Sequence, residues 1–496
     1  MIEYFHISKV ERQMLKKNEI CTVDITDMNF LGFGVTKIDG IAVFVSGTVT
    51  GDRARIKIIK TAKSYAIARC EELLVRSEHR TADACPVSAA CGGCAFRAVT
   101  YDYEKELKEN AVRQSFIKQG MRDVTVAPLT HAGRLSHYRN KGQYPVRKNT
   151  SGEIVIGFFA AKSHRVLPCI DCDLQSDAFA PILEEIRAFL LEKDISIYNE
   201  ESGEGLVRHI YLRVGEKTGE IMLCMVLCGE KLPCEDAFVK RMTEKFPAIH
   251  SLYINTNTKN TNVVLGDKFR LLCGREYIED ILCDVRLRIT PQSFYQVNRD
   301  AAELLYKKAA ELAAFDGSEL LLDLYCGIGS IGLSMAHKVK KLIGIEVVPS
   351  AIECAKINAE SNGIPNASFY CGDAAFAEQL LTSAKAAEGD FIPDVVVLDP
   401  PRKGCAEELL AYIADLGVKR IVYISCNSET LARDARFLTE NGYTMDKVYP
   451  FDLFSRTGHC ECVTRFEKEG EMNDAGVKNV PTQVGDGAYD VPHAQK

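Results

Sequence analysis

The order of apolar and polar positions divides the chain into stretches of different period. Between residues 18 and 76, short β-branched runs are separated by Gly, Asp or Thr turns: "EICTVDITDM", "GFGVTKIDG", "IAVFVSG", "DRARIKIIKTA" and "SYAIARCEELL". Five strands at this spacing predict a small barrel of the oligonucleotide-binding type. From Tyr101 to Gly120, apolar residues recur at helical spacing and end on a glycine, which predicts a capped helix. Residues 134 to 285 mix short strands and helices with Asn and Gly turns and predict an α+β region.

From Pro291 onward the pattern becomes strand, helix, strand, helix. "LLLDLY", "KLIGIEV", "ASFYCGD", "DVVVLDP" and "RIVYIS" are nearly continuous apolar runs separated by helical stretches such as "SAIECAKINAESNG". This predicts an α/β fold, a Rossmann-like, mostly parallel sheet, with ligands at the carboxyl ends of the strands. The tail after Phe466 is polar and without period, and disorder is expected. The division expected is 18–76 barrel, 77–290 cysteine loop, helix and central α+β region, 291–467 cofactor-binding domain, and 468–496 tail.

No apolar run reaches 18 residues and the start lacks the order of a signal peptide, so a cytoplasmic protein without a membrane partner is expected. In that compartment nineteen cysteines do not form a disulfide framework, and most read as core filler. The net charge of −7 argues against a uniformly basic coat. Locally the balance reverses: residues 134 to 165 carry seven Lys or Arg against one acid, and Arg53, Arg55 and Lys57 alternate on one strand face. Two such stretches point to a polyanion partner.

Candidate chemistry gathers at the predicted strand ends. Gly327, Gly329 and Gly332 have G-x-G-x-x-G spacing at a helix start, and Glu346 ends the next strand, where it can accept bonds from ribose hydroxyls. That pattern fits NAD and S-adenosylmethionine equally. "LDPPRKG" puts Asp399 and Arg402 past the fourth strand, with the prolines fixing the backbone, and Asp373 follows the third. Base-modifying methyltransferases often carry D/N-P-P here; dehydrogenases do not. Cys426 ends the fifth strand, and the helix start after it is expected to lower its pKa. A thiolate adding to carbon 6 of uracil would make carbon 5 nucleophilic, and "SRTGHCECV" supplies Glu461 and His459 to take the carbon 5 proton.

"TPQSFYQVN", "DLYCGIGSIGL", "GIEVVPSAIECAKINA", "LDPPRKG", "YISCN" and "RTGHCECV" together resemble the RNA uridine-C5 methyltransferase family over residues 18 to 466. The resemblance implies Cys426 as nucleophile and Glu461 as base. It implies Gln296, Tyr325, Gly327, Gly329, Ser330, Glu346, Asp373 and Asp399 as the S-adenosylmethionine site; Ser330 stands where many relatives have Asn. "CPVSAACGGC" and "CIDCDLQ" are similar to the [4Fe-4S] site of the branch acting on 23S ribosomal RNA, which implies Cys85, Cys91, Cys94 and Cys172 as ligands. Neither the zinc nor the radical-enzyme spacing fits these cysteines. The same branch carries an N-terminal TRAM barrel, whereas the bacterial transfer-RNA branch lacks both barrel and cluster cysteines.

Expected RNA contacts are Arg139, Lys141 and Arg208, in segments that recur in the family, with Arg53 and Arg55 on the barrel. The expectation is a monomer that makes 5-methyluridine in a single-stranded or loop region of 23S ribosomal RNA. The alternatives are the same chemistry on transfer RNA, or an NAD-using iron-sulfur oxidoreductase.

Overall fold

The computed structural model describes residues 15–83, 85–373 and 381–470. In the N-terminal unit, sheet order runs Ile20–Asp24, Arg53–Thr61, Tyr65–Val75, Ile41–Ser46, Gly34–Ile38, Asp27–Met28. The first stretch, expected as one strand, is two pieces broken at Ile25. Ile25 N–H donates to Asp52 O and Thr26 N–H to Val35 O, so the chain changes partners there. Both edges of the sheet are thus pieces of one bent strand, which curls it into a barrel.

The central region is a seven-stranded sheet, ordered Lys268–Gly274, Ile249–Thr256, Ile221–Leu227, Val207–Val214, Lys141–Lys148, Ile154–Phe159, Val166–Pro168. Helices Phe179–Glu192 and Glu235–Lys245 cover it, burying Ile186, Phe189 and Phe238 against Leu212 and Leu223.

The C-terminal sheet runs Ala367–Cys371, Lys341–Glu346, Leu320–Leu324, Val395–Leu398, Arg420–Ser425, Glu461–Lys468, Tyr443–Met445. The first five strands are parallel and Glu461–Lys468 enters antiparallel. All five expected apolar runs are strands. They are apolar because both faces are covered: Val395 and Val397 enter one core cluster, Val396 and Leu398 the other. The strand order reverses beside Leu320–Leu324, the point at which an open α/β sheet forms its ligand crevice.

The expected helix is Tyr101–Lys118, with Gly120 at φ 85° after it. Its Val112 and Phe116 join the core under the C-terminal sheet, so this segment buttresses that sheet although it lies far upstream. The strand Glu461–Lys468 runs one residue into the stretch expected as tail; residues 471–496 lie outside the described residues. No described helix is long and apolar enough to cross a membrane.

Candidate active site

The glycine turn follows the strand Leu320–Leu324. Tyr325, Gly327 and Gly329 all have positive φ, at 64°, 54° and 82°. Glycine adopts that region freely; Tyr325 is held in it at a cost typical of functional turns. A Cβ on Gly327 would meet nothing within 4 Å, so the turn opens onto free space. Glu346 braces it: Oε2 accepts Gly327 N–H at 3.2 Å and Oε1 accepts Val348 N–H at 3.0 Å. Each carboxylate oxygen keeps a second lone pair for a ligand hydroxyl. Asp373 lies exposed past the third strand.

A polar group faces this turn. The Tyr306 hydroxyl lies 3.3 Å from Ser330 Oγ, is bonded by the Gln296 side chain, and feels the Asp399 carboxylate. Asp399 sits in a recess at the crevice mouth, and burial pushes its pKa up to about 7. Beneath lies Asp323, fully buried, with Oδ2 accepting Gly332 N–H at 2.9 Å and Oδ1 without a partner. Burial, with Asp399 and Glu346 nearby, raises it to about 8. Tyr306 and Asp323 were not identified from sequence. Tyr306 is hidden in an amphipathic helical run, and Asp323 in an apolar strand whose other residues all fill core.

The last two strands bring Cys426 and Glu461 together. Ser425 pairs with Cys462 in register, so one step further Cys426 faces Glu461. Asn427 caps the helix Ser428–Glu440 by accepting Glu429 N–H at 3.0 Å, and its Nδ2 donates to Arg402 O at 3.1 Å. The "DPPRKG" loop is thereby tied to the turn that carries the thiol. Glu461 is buried and raised to about 8, by burial and then by Asp399, against the opposing effect of Arg402. Among the described residues neither the Glu461 nor the Asp399 side chain accepts a hydrogen bond from the protein. Buried carboxyls bare of donors suit a ligand that brings its own.

The thiol departs from expectation. Cys426 is pushed up to about 11, not down: burial dominates, and the Glu461 and Asp399 charges add to it. The helix start does not outweigh burial and two carboxylates. Arg402 is the cation that acts against them, and its guanidinium also lies 3.3 Å from Nε2 of His459. Partial enclosure, with Arg402, Arg139 and Lys108, keeps His459 below its usual pKa and thus neutral.

The loop carrying Arg456 to Cys460 hangs on a buried ionic group that sequence reading also missed. Lys108 Nζ donates to Glu104 Oε1 at 2.8 Å, Asp452 Oδ1 at 2.7 Å and Phe454 O at 3.3 Å. Glu104 in turn accepts Arg456 N–H at 2.7 Å. Glu104 and Lys108 look like an ordinary surface pair one helical turn apart, so only the fold shows that both are buried.

Among the expected RNA contacts, Arg208 is a correction. It is buried, donates to Asn257 O at 2.6 Å and Lys259 O at 2.8 Å, and stacks on Tyr198; its neighbour His209 is buried too. Arg208 is a core strut, out of reach of phosphate. Lys141 is half-buried opposite Arg213 and lowered to about 8 by burial, Arg213 and Arg139. Arg139 lies over the Tyr138 and Phe454 rings. Arg53 and Arg55 are exposed on one barrel face, paired with Asp24 at 3.8 Å and Glu72 at 2.9 Å.

Cys85, Cys91, Cys94, Cys169 and Cys172 lie near enough to perturb one another's ionisation. Cys172 is lowered to about 6, chiefly by a hydrogen bond from the Cys169 thiol, then by the Leu174 and Gln175 amides and Arg139. Among the described residues no three His, Cys, Asp or Glu side chains converge as a site for a single metal ion.

Fold and site together define a class I, S-adenosylmethionine-dependent methyltransferase. Residues 262–469 match the family model tRNA (Uracil-5-)-methyltransferase, and residues 15–70 match the TRAM domain. Curated relatives include an uncharacterized RNA methyltransferase of Bacillus cereus, 41% identical over 92% of this chain and 98% of its own. Another, from Oceanobacillus iheyensis, is 42% identical over 90% and 96%. A solved structure, the Pyrococcus abyssi tRNA (uracil-54, C5)-methyltransferase with S-adenosyl-L-homocysteine, has a TM-score of 0.72 at 28% identity, covering 90% of this chain and 99% of that one. The chain belongs to the uracil-5 RNA methyltransferase family: it is an enzyme that methylates carbon 5 of uracil in RNA from S-adenosylmethionine.

Proposed function

We propose that methylation proceeds through a covalent adduct in which Cys426 is the nucleophile and Glu461 the base. The observation that carries this reading is the register that sets Cys426 against Glu461 at the mouth of the cofactor crevice. Gln296, Tyr325, Gly327, Gly329, Ser330, Glu346, Asp373 and Asp399 would hold S-adenosylmethionine, which when bound supplies the methyl group. Cys426 loses its proton to solvent, favoured by Arg402, and its sulfur bonds to carbon 6 of uracil, leaving carbon 5 electron-rich. Once carbon 5 carries its methyl, Glu461 takes the carbon 5 proton. The carbon–sulfur bond then breaks, the double bond returns and Cys426 leaves as thiolate. Both carboxyls of the site carry raised pKa values, which suits Glu461 to accept a proton near neutrality.

The substrate in this reading is 23S ribosomal RNA, supported by the TRAM barrel together with the cysteine group, and the enzyme works as a monomer on a single-stranded or loop region. Arg139, Lys141, Arg53 and Arg55 meet phosphates. A second reading, transfer RNA, is favoured by the likeness to the Pyrococcus abyssi enzyme over 99% of that chain, which weakens the barrel as a discriminator. Mapping 5-methyluridine in RNA from a strain lacking the gene decides between them: loss confined to transfer RNA overturns the ribosomal reading. Cys85, Cys91, Cys94 and Cys172 hold a [4Fe-4S] cluster in this proposal, one that ties the loop to the central sheet and takes no part in methyl transfer.

A further inference from the structure

The turn Asn29–Phe33 projects from the barrel and is stiff. Asn29 N–H donates to Phe33 O at 2.9 Å and Gly32 N–H to Asn29 O at 3.0 Å. Asn29 Oδ1 accepts the N–H groups of Leu31 at 3.1 Å and Phe33 at 3.0 Å. Met28, at its base, is buried with Val49, Phe96 and Val99.

The turn is seated on the active-site loop. A Cβ on Gly458 would lie 1.8 Å from Phe30 O, so the two backbones touch, three residues before Glu461. A Cβ on Gly32 would lie 2.5 Å from Ala95 O, and Phe96 N–H donates to Arg456 O at 3.0 Å. Barrel turn, cysteine loop and active-site loop are therefore one stacked unit.

At its tip, Phe30 and Leu31 are 55% and 62% exposed. Two adjacent large apolar side chains on a braced tip are unfavourable in water unless something covers them. The partner that reaches this place is RNA, because the target uridine must leave its stack to enter beside Glu461. Apolar side chains inserted between bases hold such a gap open, and aromatic rings stack on the bases at its edge. We propose that Phe30 and Leu31 form a wedge against the bases flanking the target uridine, keeping the stack open while that base sits at Cys426. The wedge rests on the reading that the uridine is drawn to Cys426.

The test uses the full-length protein, labelled S-adenosylmethionine and RNA from cells lacking the gene. The Phe30→Ala/Leu31→Ala variant is expected to lose tenfold or more in kcat/KM for RNA while its equilibrium affinity for S-adenosylmethionine is unchanged. Phe30→Trp/Leu31→Met, which keeps bulk and apolarity, is expected to retain near wild-type kcat/KM. Activity of the alanine variant within threefold of wild type overturns the wedge. Should the alanine variant lose S-adenosylmethionine affinity, Leu31→Ser decides: it must lose RNA activity at unchanged affinity, or the proposal falls. Failure of the underlying reading is visible separately, as methyl transfer by a Cys426→Ala protein whose barrel tip is intact.

Discussion

Cys426 and Glu461 come from strands that are neighbours in the sheet but 35 residues apart in the chain, and the Ser425 to Cys462 pairing sets them face to face. Glu461 raises the cost of ionising Cys426, so removing the acid changes more than proton transfer. In Glu461→Gln, the carbon 5 proton has no acceptor, and the enzyme is expected to stall as a methylated RNA adduct that survives denaturing electrophoresis. Turnover drops by about 10²- to 10⁴-fold. The same variant is expected to alkylate faster at Cys426 at pH 8, because one carboxylate opposing the thiolate is gone. Absence of the adduct, or unchanged alkylation, would contradict the assigned pair.

The raised carboxyls also set a pH dependence of stability. Asp323, Asp399 and Glu461 have folded pKa values of about 8, 7 and 8, against about 4 in an unfolded chain. Between those values the folded state binds more protons than the unfolded one. Stability from these groups is therefore complete below about pH 4 and is lost as pH rises to 8. Thermal unfolding of the ligand-free protein should show a midpoint falling across pH 5 to 8, and Asp323→Asn should make that slope shallower. Parallel curves for wild type and variant would rule Asp323 out as a contributor. Over the same range kcat/KM should rise, because Glu461 must be ionised to act.

Much of this was legible in the chain because the parallel sheet writes its strands as apolar runs, and its chemistry falls just beyond them. Asp399, Glu346 and Cys426 were placed at the strand ends that way. Tyr306, Lys108 and Asp323 were not, because a polar residue inside a periodic segment shows no sign of its burial until the segments are packed. The error on Arg208 has the same origin: a basic residue in a strand reads as surface, and only the seven-stranded sheet shows it buried. The direction of the Cys426 shift comes first from burial and then from Glu461 and Asp399, none of which is visible until the strands are packed.

The cysteine group makes a distinction between two neighbours. Cys172 has the Leu174 and Gln175 amides and Arg139 to favour its thiolate, whereas burial raises Cys169, whose thiol donates to Asp171 O at 3.9 Å. In anaerobically purified protein, Cys172→Ser should lose bound iron and visible absorbance, as should Cys91→Ser with Cys94→Ser. Cys169→Ser, which can still donate a hydrogen bond, should keep both. A colourless zinc-loaded wild type, or equal loss in the Cys169 and Cys172 variants, would contradict the ligand assignment.

Arg55 and Arg208 separate RNA contact from core support. Arg53→Ala/Arg55→Ala removes two exposed charges whose acid partners offer little stabilisation. It should weaken RNA binding, reduce the salt slope by about two and leave the unfolding midpoint nearly unchanged. Arg208→Ala strips the Asn257 and Lys259 carbonyls of their donor. It should cost about 1–3 kcal/mol for each carbonyl left buried without a partner and leave the salt slope alone.

The active-site loop depends on Lys108, which neutralises two carboxylates no water reaches. Lys108→Met takes from Asp452 and Glu104 the ammonium that bonds both, leaving Glu104 with the Arg456 guanidinium at 3.4 Å. The expected loss is about 3–5 kcal/mol in denaturant unfolding, since breaking a buried pair strands charge in a poor solvent. Adding Glu104→Gln should recover part of that loss, because one stranded charge is gone, although the Arg456 backbone then has a weaker acceptor. Methyl transfer should stay low in both proteins, because Phe454 and Arg456 position the segment that leads to Glu461. Full activity in Lys108→Met would show that the segment keeps its place without this network.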